Sequence, residues 1–168
     1  MSTEKQKAGN DNKKPLYIST LERIYGPPSQ EAFGTAVFYE PLKATNLGQA
    51  ALEKYRHFIG DLWNRYGEKV WLGAWKEVYI REQDNAGDIV NELENITDPD
   101  ARMSIPMFLD GIENPKEARA ALVAAFNDPE VTELKVYTTG DGGAMSGILI
   151  AAFRKKTGNA TFLIFLMD

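Results

Sequence analysis

The chain contains no cysteine, which excludes disulfides, thiolate metal sites, iron–sulfur clusters and cysteine nucleophiles. It has one histidine, His57, so a zinc site built on two or three imidazoles is excluded too. No run approaches the ~20 apolar residues of a membrane span, and the N-terminus lacks the apolar core of a secretory signal. No cluster of Lys and Arg of the kind that neutralises nucleic-acid phosphates occurs, and the net charge is −5. These absences lead to the expectation of a soluble, cytoplasmic protein with no cofactor, no bound metal, no nucleic-acid partner and no membrane partner.

What is present is enough apolar material for a core: 43% of the 168 residues are hydrophobic, and a globule of this size hides roughly 70% of its unfolded surface. Residues 1–15 are polar and small, too poor in apolar surface to offset the entropy of ordering them, and are expected to form a disordered tail. Residues 16–168 are expected to form one α+β domain. Its predicted architecture is an antiparallel sheet that ends in a C-terminal three-stranded meander, packed against three or four helices.

The helix signals are spacing and caps. Ser19 with Glu22 has the form of a capping box before Gly26-Pro27-Pro28. From Asn46, apolar residues Leu47, Ala51, Tyr55, Phe58, Leu62 and Tyr66 recur on one face up to Gly67, which predicts one continuous helix. A third helix is expected over 87–96, stopped by Asp98-Pro99, and a fourth from Asn114-Pro115 to Phe126. Thr35–Tyr39, Val70–Arg81 and Met103–Leu109 read as strands, the second against a competing helical stripe through Trp71, Trp75 and Tyr79. Pro106 would confine the third to a sheet edge or a bulge.

The meander is expected over 133–139, 145–154 and 161–167, joined by turns too short for a crossover helix. In the last strand both alternating sets, Phe162/Ile164/Leu166 and Leu163/Phe165/Met167, are apolar. Both faces must therefore be covered, either by the chain itself or on one side by a second copy.

Three constellations are candidates for function. From Glu82 to Asp100 there are seven acids and no Lys or Arg, so the whole acidity of the chain lies in that segment. Its Glu92, Glu94, Asp98 and Asp100 are expected to attract a basic protein partner. An Asp84-x-Ala86-x-Asp88 pattern within it fails as a calcium loop, because Ala86 replaces a ligand and Ile89 the turn glycine.

The second is the glycine-rich stretch from Gly140 to Gly147. It has no Lys for a P-loop and runs on into a strand, but Asp141, Gly142 and Gly143 could form a binding loop through side chain and amides. Ser146 does not sit in a G-x-S-x-G elbow.

The third is His57 with Glu53 and Asp61 on one helical strip, a base beside carboxylates. The leading expectation is thus a non-enzymatic protein that acts by protein–protein contact, with homodimerisation through the meander as a further expectation. The rival is a small-molecule binder or hydrolase-like enzyme that brings His57, Asp61 and Ser146 together.

Overall fold

The computed structural model describes residues 14–43, 46–82 and 87–167. The expected tail up to residue 13 and the Asp84/Ala86 part of the calcium-like pattern lie outside the described residues. A five-stranded, wholly antiparallel sheet runs through the centre in the order β1-β5-β4-β3-β2. Its strands are β1 Gly34–Pro41, β2 Lys76–Ile80, β3 Val131–Gly140, β4 Ser146–Arg154 and β5 Asn159–Met167. Seven helices flank it among the described residues: α1 Leu16–Tyr25, α2 Leu47–Ile59, α3 Asp61–Tyr66, α4 Glu68–Gly73, α5 Ile89–Glu94, α6 Pro99–Asp110 and α7 Pro115–Phe126. None of them is long and apolar enough to cross a membrane.

The meander forms where expected, and the double-sided apolar pattern of β5 has a direct consequence. Leu163 and Phe165 enter a core with α1, α5, α6 and α7, while Phe162, Ile164 and Leu166 enter a second core with α2, α3 and α4. Both faces are filled by the chain's own helices, so β5 offers no open face to a second copy. The sheet edge at β1 is also occupied in part, since Val37 N–H donates to Gly26 O at 3.1 Å and Pro41 has no donor to offer.

Four expectations are corrected. Met103–Leu109 is not a strand but part of α6. The helix expected over 87–96 forms as Ile89–Glu94 and ends before Asp98-Pro99, and Asp98 in addition starts α6: its carboxylate accepts from the amides of Asp100 and Ala101, with Pro99 at the first turn. Ala101, Ile105, Phe108 and Leu109 are buried at helical spacing, and that burial outweighs the backbone bond lost at the exposed Pro106.

The long helix from Leu47 is interrupted at Gly60, whose φ of 65° and ψ of −135° leave the helical region before α3 begins. Residues 70–81 divide between both readings: Trp71 is on α4, Trp75 in the connection and Tyr79 on β2, so the three rings share no stripe. Finally, α1 begins at Leu16 behind Pro15, with Ser19 inside the helix rather than at its cap. The fourth predicted helix, Asn114 to Phe126, forms as read, with the Asn114 side chain accepting from Glu117 N–H at 3.2 Å.

Candidate functional site

The acidic segment has counter-charges, all supplied from elsewhere in the chain. Glu92 is bound in a fork by Arg81, Nε to Oε2 at 2.8 Å and Nη2 to Oε1 at 2.6 Å, and also accepts from Tyr79 Oη at 2.6 Å. Both side chains of the pair are buried, Arg81 at 6% and Glu92 at 11% exposure. Burial alone would raise the Glu92 carboxyl, but the Arg81 and Tyr79 hydrogen bonds outweigh it and hold it below the ordinary range. Burial, then Glu92, pushes the Tyr79 phenol up to about 12.

Lys76 Nζ reaches Asp98 and Asp100, each at 2.9 Å, and these bonds raise its own pKa. Glu94 lies 3.8 Å from Arg119. Sequence order hid these pairs because Lys76 and Arg81 precede the acids on β2 and just after it, and Arg119 follows on α7. Glu92 is consequently a structural group, and neutralising it would disturb packing before it altered any docking.

The Gly140–Gly147 turn is shaped by its own carboxylate. Asp141 Oδ1 accepts from Gly143 N–H at 2.8 Å and Met145 N–H at 3.0 Å, so the Gly143 amide is engaged within the loop. Gly142 (φ 77°) lies exposed at the tip. The turn is tied to α2 by Tyr55, whose hydroxyl accepts from Gly140 N–H at 3.1 Å and lies within hydrogen-bonding distance of the Gly140 and Trp71 carbonyls. His57 sits only two residues beyond Tyr55, and such positions face apart on a helix.

His57 and Asp61 therefore line one cavity with Glu53, beside Trp63, while Ser146, Gly142 and Gly143 line another. Neither of these cavities holds His57 together with Ser146. Among the described residues no group of three or more His, Asp and Glu side chains could hold a metal ion.

The second cavity, about 190 Å³, belongs to a surface that the sequence reading missed. Met103, Met145, Asp100 and Ser146 line it together with Ala74 and the tip of the turn. Ser146 pairs with Met167 across β4–β5, and Met107, one turn beyond Met103 on α6, lines a neighbouring cavity with Phe165. All the methionines other than Met1 thus gather at one end of the molecule. Met103 is 74% exposed and Met107 47%, with Pro106 exposed between them.

Phe33, 51% exposed, joins the same end through Gly34, which pairs with Leu166 next to Met167. The signal was the spacing Met103, Pro106, Met107, which is one helical face once the segment is read as a helix. No basic side chain lines either methionine cavity.

No protein-family model matches this sequence, and comparison with curated proteins and with solved structures returns no match.

Proposed function

We propose that the protein acts without catalysis, by binding another protein through its methionine-bearing end. The observation that carries this reading is the convergence of Met103, Met107, Met145 and Met167 beside exposed Phe33. Unbranched, polarisable thioethers adapt to varied partner shapes, and methionine and aromatic residues are enriched at contact surfaces. An exposed apolar patch of this kind has a solvation cost that a partner removes. Asp100 lines the same cavity but is already paired with Lys76, so the attraction rests on the apolar side chains rather than on charge.

The test is chemical cross-linking of the full chain in an extract of its source cells, comparing wild type with Met103→Asp/Met107→Asp and with Glu94→Gln. The double variant is expected to keep its circular dichroism spectrum and lose the cross-linked species, while Glu94→Gln keeps them. Equal cross-linking by the double variant would overturn the reading.

A further inference from the structure

Among the described residues every sulfur atom lies at the methionine-bearing end, and no thiol competes with it for an oxidant, because the chain has no cysteine. The four thioethers divide into two pairs. Met103 is 74% exposed and Met107 47%, one turn apart on α6. Met145 and Met167 are partly buried, the first packed against the core beneath α2, α3 and α4, the second against the core on the opposite face of the sheet. A thioether is a soft nucleophile, and a peroxide oxidises it only where it can reach the sulfur.

The same added oxygen has opposite consequences in water and in a contact. Both exposed methionines lie off the buried face of α6, which is formed by Ala101, Ser104, Ile105, Phe108 and Leu109, so an oxygen on either sulfur stays hydrated and the fold is spared. Against an apolar partner surface that oxygen is a strong acceptor left without a donor, and binding weakens. Flexible, apolar side chains thus become polar ones at the place where adaptability carries the contact.

We propose that Met103 and Met107 are sites of reversible oxidation by hydrogen peroxide, and that the two sulfoxides block partner capture without unfolding the chain. The sites follow from exposure; the consequence rests on the partner-binding reading. In each step the sulfur lone pair attacks one peroxide oxygen, the S–O bond forms and the O–O bond breaks. The departing hydroxide takes the proton of the transferred oxygen and leaves as water. The thioether loses two electrons and the peroxide gains them, and methionine sulfoxide reductases reverse the change.

The experiment exposes the isolated full chain to rising hydrogen peroxide and locates the added oxygens by mass spectrometry of its peptides. Met103 is expected to be oxidised first and Met107 second, both before Met145 and Met167, with the circular dichroism spectrum and the urea midpoint unchanged. Chain treated at a dose that modifies only the first two, and freed of peroxide, then enters the cross-linking assay in gel-filtered extract. Cross-linked species are expected to fall about tenfold, as befits unpaired acceptors in a contact. Reductases for both sulfoxide epimers, with dithiothreitol, should restore them.

Oxidation of Met145 or Met167 ahead of Met103, unfolding at the chosen dose, undiminished cross-linking, or a loss that the reductases do not reverse would each overturn the proposal. Undiminished cross-linking would do so while leaving the partner-binding reading intact. If the untreated chain gives no cross-linked species, the partner-binding reading fails and the switch fails with it.

Discussion

On one side of the sheet, helices are fastened to strands by two buried guanidinium groups; on the other, they are fastened by stacked rings. Arg81 and Arg154 donate to the carbonyls of Phe126 and Ala125 at 2.7 and 2.9 Å, capping the C-terminus of α7, where a helix has unpaired acceptors and partial negative charge. Their remaining donors go to Glu92 and Asp128. Across the sheet Trp75 lies between Tyr55 and Tyr137, at 4.9 and 4.3 Å, with planes within 13° and 6°. The first fastening depends on ionisation and directional bonds, the second on area and shape. The two faces should therefore fail under different conditions.

The largest expected effect comes from breaking a charged tie. Glu92→Gln leaves Arg81 buried beside a neutral group and should cost about 3–5 kcal/mol in urea unfolding. The double change Arg81→Met/Glu92→Leu should recover most of that loss; a double variant as unstable as the single would mean that the pair's value is more than mutual compensation. On the aromatic side Trp75→Ala should cost about 2 kcal/mol, below the figure for a fully buried Trp because the ring is only partly buried.

Acid sharpens the contrast with a smaller effect. The carboxyl of Glu92 lies below its ordinary value of 4.5, so its contribution to stability is complete above that value and is lost as pH falls through the lower folded value. Asp128, lowered by the Glu130 amide and Arg154, acts with the same sign. Urea midpoints measured below pH 4.5 should fall for wild type and fall less for the Arg81→Met/Glu92→Leu variant, while Trp75→Ala retains the wild-type acid response. Smallest of all, Met103→Asp should change stability by no more than about 0.5 kcal/mol, as befits an exposed side chain.

What was legible in the sequence follows the same divide between local and distant causes. Helix α7 was readable because Asn114 and Pro115 act on the backbone within one turn. Strand β5 was readable because seven consecutive residues, Thr161 to Met167, can satisfy a two-sided core only as a central strand. Helix α6 was not, since the run from Met103 to Leu109 is rich in strand-compatible residues and contains Pro106. Its helical state is decided by which of its residues reach β4 and β5, a tertiary matter.

The Gly60 break was equally hidden, as the apolar spacing continues through it to Leu62 and Tyr66. Among the candidate sites, sequence located the turn at Gly140–Gly147 and the acids, but not the pairing of Glu92 with Arg81 or the gathering of the methionines. Both depend on strand register, which puts Ser146 beside Met167 and Arg81 opposite α5.

The two arginine ties have a mechanical consequence. Helix α7 is anchored at its C-terminal turn to residues that end or follow β4 and β2, and Asn127 just beyond it also accepts from Ile89 N–H at 2.7 Å. Near its other end it is steadied by an exposed Arg23–Glu117 contact at 3.2 Å and by the alanine face laid against α1. Removing either arginine is therefore expected to loosen the turn at Phe126 while the packing against α1 still holds the rest of the helix.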